Sequence, residues 1–353
     1  IVYFEKDLHF HKRLVHQTSG ALAETIAAVG IALAYQTVWA LVIGAVVGEV
    51  TKLLVSYVIH HYRPSITFDR TLAGDLFGYG KWITGLSILV FATNSGDDAF
   101  VGWLLGTSAL GLYQFAYQVS NAPATEVSKV ISSVVFPAYA EVQDDTAQLR
   151  EGYFKTLQLT AFLSFPIAIG IVVVTPTFVH AFLGTKWLPA VAAIQILAIW
   201  GLMRSLGSTS GPLFQAVGRP DYSTKIQLGK ALIIAALIWP VTARYGIEGA
   251  ALVIVANSLI FSEPLVYYLA METVDGSYYR LARVLVLPAV TSALMGLSVL
   301  FARQSLQLSA VPKFLVLVAI GVVVYGILAL VVERRFEYGM DDIVRTMVGA
   351  VQS

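Results

Sequence analysis

Lys52, Lys129 and Arg204, and with them Glu24, Glu49, Asp97, Asp98 and Glu126, lie inside long apolar runs of this chain. A charged side chain at the centre of a bilayer costs roughly 3 kcal/mol or more, so it faces protein or water and is a functional candidate. The guanidinium of Arg204 could fork onto phosphate oxygens, or it could pair with helix-end carbonyls or a structural carboxylate. Glu49-Val50-Thr51-Lys52 and Glu126-Val127-Ser128-Lys129 each set a Glu and a Lys three apart on one helical face. Such self-neutralised pairs either line a cavity and offer Lys52 and Lys129 to an anionic ligand, or pack inward as hydrogen-bonded struts. The adjacent carboxylates Asp97 and Asp98 could hold a proton or Na⁺, or simply face water at a wet helix end. Glu24 is a lone carboxylate in the inner half of its run. These acidic residues are the candidates for ion coupling.

No metal and no other cofactor is expected. The chain has no cysteine, which removes disulfides, thiol catalysis and cysteine-ligated metal. His9, His11, His16, His60 and His61 cluster near one boundary and His180 stands apart, without metal-ligand spacing. A net charge of +1 gives no basic field for nucleic acid.

What must position these groups is a set of membrane helices. Of the 353 residues 57% are hydrophobic and 13% charged, and the mean hydropathy is +0.73. A water-soluble core cannot absorb that much apolar side chain, and the apolar residues fall in blocks of about 20, the length that crosses roughly 30 Å of hydrocarbon. Hydropathy gives ten spans, over residues 15–35, 38–59, 80–104, 108–137, 156–175, 188–214, 224–242, 247–270, 283–302 and 312–332. The fold class is therefore an all-α polytopic membrane bundle. Basic residues from Lys6, Lys12 and Arg13 to Arg334, Arg335 and Arg345 crowd the side of both termini, whereas only Lys186, Arg244, Arg303 and Lys313 fall on the other. The positive-inside rule makes the crowded side cytoplasmic. The opening Ile1-Val2-Tyr3-Phe4 reads like the end of a helix cut through, so an N-terminal truncation is expected.

Local signals add detail. Pro166 predicts a kink in the fifth span, and Pro176 is expected to open a short interfacial helix ending at Gly184. Gly44 to Gly48 and Gly102 to Gly106 are Gly-x-x-x-Gly spacings that favour close helix packing. Tyr113 and Tyr117, one turn apart, could stack on sugar rings or pack internally. Ala40-Leu41-Val42-Ile43 recurs as Ala251-Leu252-Val253-Ile254, as two related halves would produce.

From Gly96 the sequence runs Gly-Asp-Asp-Ala-Phe-Val-Gly-Trp-Leu-Leu-Gly-Thr-Ser-Ala-Leu-Gly-Leu-Tyr-Gln-Phe-Ala-Tyr to Tyr117. It resembles the seventh and eighth helices of polysaccharide-transport members of the multidrug/oligosaccharidyl-lipid/polysaccharide exporter superfamily. Asp97 matches that family's helix-borne Asp, and Asp98 stands where an Asn is frequent. Further segments resemble the same family in the same order: Glu5-Lys6-Asp7-Leu8, Trp39-Ala40-Leu41-Val42, Phe136-Pro137, Lys186-Trp187-Leu188-Pro189-Ala190, Arg204-Ser205-Leu206-Gly207-Ser208 and Gly218-Arg219-Pro220-Asp221.

The resemblance implies a remnant of a two-bundle transporter of twelve to fourteen helices, with about four N-terminal helices missing, so that the fragment alone is not expected to transport. Residues 1–79 would be the last two helices of the first bundle with a cytoplasmic linker. Residues 80–270 would be a six-helix second bundle, and 271–353 two additional helices with a cytoplasmic tail. The function implied is that of a flippase, not an enzyme, in the plasma membrane. Its cargo is lipid-pyrophosphate-linked oligosaccharide for O-antigen or similar glycan assembly, moved by ion-coupled alternating access. Arg204, Lys52 and Lys129 would meet the pyrophosphate, and membrane lipids and glycan-assembly proteins would be partners. A multidrug exporter of the same superfamily would want an acidic cavity for cationic drugs. A membrane-embedded glycan polymerase or acyltransferase would want catalytic acids or histidines on a long outer loop, and no outer loop here is long.

Overall fold

The computed structural model describes residues 10–59, 95–121 and 141–336, with the single positions 74, 77, 84, 125 and 139. Among them the regular structure is helical and no strand occurs. The chain divides into two compact units, Ile1–Ile83 and Thr84–Ser353.

The first unit is a helical hairpin of α1 (Phe10–Tyr35) and α2 (Trp39–Ile59), turning at Gln36 with φ of 48°. Small residues let the two backbones meet. Ala40, Gly44 and Gly48 form the buried stripe of α2. A Cβ at Gly44 would stand 2.7 Å from the Ala28 methyl, and one at Gly48 would stand 2.9 Å from the Glu24 Cβ. The first Gly-x-x-x-Gly spacing is thus an intramolecular packing seam. Leu22, Ile26, Leu33, Leu41 and Leu54 are exposed on the hairpin.

In the second unit, α3 (residues 95–105) turns at Gly106 into α4 (Thr107–Ser120). Gly106 has φ of 87°, a left-handed value that glycine adopts freely. The second Gly-x-x-x-Gly spacing therefore splits its roles: Gly102 seats the Leu110 side chain, and Gly106 makes the turn. The long α5 (Thr146–Phe178) is followed by α6 (Ala190–Gly207), α7 (Ser210–Ala216), α8 (Pro220–Asn257), α9 (Glu263–Val274), α10 (Tyr278–Ser305) and α11 (Ala310–Phe336).

Seven described helical stretches are long and apolar enough to cross a bilayer. One of them, Pro220–Val274, has 55 residues, about twice a single crossing. It breaks at Gly246, whose φ is 61°, and so contains two of the expected spans. The spans expected over 80–104 and 108–137 are described only in part.

Pro176 acts differently from the sequence expectation. The helix runs through Pro166 and Pro176 to Phe178, and the segment to Gly184 is a π-turn, Val179–Leu183, not a separate interfacial helix. A proline removes the amide that would bond the carbonyl four residues earlier. Both orphaned carbonyls are recaptured by neighbouring helices: Tyr325 Oη of α11 donates to Phe162 O at 2.7 Å, and Gln195 Nε2 of α6 donates to Val172 O at 2.6 Å.

Two cores flank the crossing of α5 and α6. One gathers Tyr153, Phe154, Leu157, Leu206, Phe214 and Met271, the other Tyr113, Ile194, Leu197, Ala250 and Ile254. Buried hydroxyls tie the helices where the two meet, through Ser164 to Ser205 at 2.7 Å and Ser120 Oγ donating to Ile194 O at 2.8 Å. α10 and α11 pack on α5 through Val173, Val174, Val299 and Leu317.

Candidate functional site

A cavity of about 770 Å³ opens within the second unit, walled by α3, α4, α6, α7, α8 and α9. Its chemistry comes from Asp97 on α3, Tyr117 on α4, Trp200 and Arg204 on α6, Gln227 and Lys230 on α8, and Glu263 on α9.

Arg204 lies in the last turn of α6 and remains exposed to the cavity. Its Nη1 makes two long contacts, 3.3 Å to Tyr117 Oη and 3.3 Å to Asn121 Oδ1. The guanidinium carbon stands 5.2 Å from the centre of the Trp200 ring, and Lys230 Nζ stands 5.9 Å from the same ring. The Tyr117 ring packs against that indole, tilted by 43° with the ring centres 4.8 Å apart. Two cations therefore converge on one aromatic platform, which stabilises them through its quadrupole and leaves donors free for an incoming anion. The platform is fixed because α4 and α6 cross closely at Gly201, where a Cβ would run into the carbonyl oxygen of Ser120.

The carboxylates are held differently. Asp97 Oδ2 accepts from the Tyr113 hydroxyl at 2.9 Å, and Asp98 Oδ2 accepts from Gln114 Nε2 at 3.3 Å. Tyr113 is fully buried, so of the tyrosine pair it holds Asp97 from within the core while Tyr117 alone reaches the cavity. Glu263 stands against α6, with Oε1 3.0 Å from where a Cβ on Gly207 would be. Its Oε2 is buried and has no hydrogen-bond partner. A glycine at 207 is what admits this carboxylate.

Of the residues singled out from sequence, Arg204 and Asp97 come together in this cavity, with Asp98 adjoining. Lys52, Glu49 and Glu24 belong to the first unit. There Lys52 Nζ pairs with Glu49 Oε1 at 2.7 Å, its stem crosses Gly20, and Glu24 faces Gly48. Glu126 and Lys129 lie outside the described residues.

Lys230 and Glu263 were not legible as site residues. The basic-side count places Lys230 at a cytoplasmic span end, whereas it lies well inside α8 and lines the cavity. A signal did exist: Ser223, Gln227 and Lys230 recur at steps of four and three on an otherwise apolar helix, one polar stripe at helical period.

Residues 1–192 match the family model described as polysaccharide biosynthesis protein. The chain is 30% identical over 282 residues to the lipopolysaccharide biosynthesis protein WzxC of Escherichia coli, covering 78% of this chain and 56% of the relative. It is 26% identical over 331 residues to the teichuronic acid biosynthesis protein TuaB of Bacillus subtilis, covering 92% and 62%. A probable low-salt glycan biosynthesis flippase of Haloferax volcanii is 22% identical over 280 residues, 77% of this chain and 57% of that one. The chain thus spans less than two thirds of the length of each of these relatives. Among solved structures, the lipid II flippase MurJ in an inward closed conformation superposes with a TM-score of 0.73 at 15% identity, over 91% of this chain and 67% of that one, a likeness of fold. With its membrane helices and a family match over more than half its length, this chain is a multi-pass membrane protein of the polysaccharide biosynthesis protein family.

Proposed function

We propose that the full-length protein is a flippase for lipid-pyrophosphate-linked oligosaccharide, and that the cavity of the second unit receives the anionic headgroup. The observation that carries this reading is the convergence of Arg204 and Lys230 on the Trp200 ring inside one cavity. A pyrophosphate needs several desolvated donors, each weak enough to release it on the far side. The cavity also holds Asp97 and Glu263, but Asp97 is engaged by Tyr113 and the Glu263 carboxylate is buried against Gly207, whereas both cations keep donors available. That balance favours an anionic cargo over the cationic drugs of a multidrug exporter. The names of the relatives, which concern lipopolysaccharide, teichuronic acid and glycan assembly, support a saccharide cargo and transport in place of catalysis.

In this reading residues 80–270 form the cargo-binding bundle and 271–353 an accessory pair with its tail. Both ends of the sequence face the cytoplasm, as the distribution of basic residues indicates. Lys52, paired with Glu49, and Lys129 are secondary cationic contacts. Asp97 and Asp98 are candidates for ion coupling, and glycan-assembly proteins are partners at the membrane surface.

The experiment is glycan export in cells that depend on the full-length protein, at matched expression, with Arg204→Ala, Arg204→Lys and Lys230→Met. Losing one charge-assisted contact worth about 1.5–3 kcal/mol weakens headgroup binding about 10- to 100-fold, so the Ala variant loses export and Lys at 204 restores part of it. Normal export in Arg204→Ala rejects the reading.

A further inference from the structure

Resting on the headgroup reading above, we infer that Glu263 is the internal counterion of Lys230 in the empty cavity, so that an arriving anion displaces its influence and Glu263 takes up a proton. The geometry sets up this competition. Glu263 on α9 and Lys230 on α8 line the same cavity, and Asn257 Nδ2, beyond the Gly246 break of α8, donates to the Lys230 carbonyl at 3.1 Å and ties the two halves of that helix together. No ion pair within 4.0 Å joins the two charges among the described residues. They attract each other across a cavity of about 770 Å³ that both of them line.

The surroundings leave Glu263 few alternatives. Its Oε2 is buried without a hydrogen-bond partner, and Gly207 presents only a backbone to the carboxylate. On its own helix, one turn on, the Tyr267 hydroxyl is also buried and unpartnered. From α5, Tyr153 faces this region but shares its hydroxyl with Ser210 Oγ at 3.0 Å. From α6 comes Arg204, engaged with Tyr117 and Asn121, and from α3 comes Asp97, engaged with Tyr113. Lys230 is therefore the cation that keeps a bare carboxylate tolerable at this depth, since a buried charge without an opposite charge is neutralised instead. When a doubly anionic pyrophosphate binds Lys230 and Arg204, Lys230 is occupied and new negative charge stands beside Glu263. One proton from the cavity water then moves onto the Glu263 carboxylate. Release of the anion returns Lys230 to Glu263 and frees the proton. Charge inside the cavity changes by less than the charge of the cargo, and proton occupancy becomes linked to cargo occupancy.

The test is isothermal titration of full-length protein in detergent with farnesyl pyrophosphate as the probe, at one pH, in buffers of different ionisation enthalpy. The protonation of the probe itself is common to all variants and cancels in the comparison. Wild type is expected to take up about one proton more per bound probe than Glu263→Gln, and its affinity to fall more steeply with rising pH than that of Glu263→Gln. Lys230→Met, which keeps the carboxylate but removes its partner, is expected to lose the extra proton as well, a result that a merely structural Glu263 would not give and that stands even if Glu263→Gln does not fold. Equal proton uptake in wild type and Lys230→Met, or in wild type and Glu263→Gln, overturns the linkage while leaving the headgroup site standing. Absence of probe binding to wild type overturns the headgroup site and the linkage together.

Discussion

The Tyr325 hydroxyl donates to the carbonyl of Phe162 at 2.7 Å, the carbonyl that Pro166, four residues on, leaves without an amide donor. In a bilayer no water can take that place, so the bond from α11 completes the backbone of α5. Tyr325→Phe is expected to destabilise the protein by about 1–3 kcal/mol, the cost of a buried acceptor left unpaired. Replacing Pro166 with Ala in the same background restores an amide donor and should recover part of the loss. Unfolding in detergent, arranged as a double-mutant cycle, measures both; additive effects would disprove the link.

The close crossing of α4 and α6 depends on Gly201, where any Cβ meets the Ser120 carbonyl oxygen. Backbone cannot rotate away as a side-chain tip can. Gly201→Ala is expected to cost about 1–3 kcal/mol or more through overpacking, with a lower midpoint in thermal unfolding. Gly211→Ala, on a helix of the same cavity but with open space where its Cβ would be, is the control and should leave the midpoint near wild type.

Trp200 supports both cavity cations, so its removal should weaken anion binding without touching a charge. Cation–π contacts are worth about 0.5–2 kcal/mol, which predicts roughly 2- to 30-fold weaker binding of farnesyl pyrophosphate to Trp200→Leu, with Trp200→Phe between the two. Titration with the probe reads this directly, and unchanged affinity in Trp200→Leu would deny the platform its role.

At the start of α5 the carboxylate of Asp145 accepts from the Gln148 backbone and side chain and from the Ala147 amide. These donors hold its carboxyl below the ordinary value. A lowered value in the folded state means stability that is present above the unfolded value and lost as pH falls through the folded one. Asp145→Ala is therefore expected to unfold at lower temperature than wild type near neutral pH, and the gap should narrow as the solution is acidified below the usual carboxylate range. A gap independent of pH would show that the cap does not depend on its charge.

Much of the fold is legible because bilayer thickness fixes the length of every span, and the apolar blocks from Trp39 to Ile59 and from Ala310 to Phe336 could serve no other purpose in a protein this apolar. Arg204 and Asp97 stood out because a charge in such a block violates the pattern. Lys230 counts among the basic span ends, and Glu263, although inside the span expected over 247–270, is not singled out; the path of α8 and α9 brings both to the cavity. The seam at Gly44 and Gly48 was legible as close packing, while the partners Ala28 and Glu24 were not, since spacing along one helix says nothing of the register of the next. The recapture of Phe162 O and Val172 O was beyond sequence for the same reason: Pro166 and Pro176 announce orphaned carbonyls but not the donors, which come from residues far along the chain.

Gly246 has a meaning beyond turning the chain. Lys230 and Glu263 are nearly equidistant from it along the sequence, one on each side, and Gly249 sits so close to the turn that a Cβ there would press on the Val241 carbonyl. The depth at which the two opposite charges meet is thus set by a ruler whose zero mark is this glycine. Adding a single residue between Val241 and Gly249 would slide one arm by about 1.5 Å and rotate it by about a quarter turn, separating the charges although neither was altered.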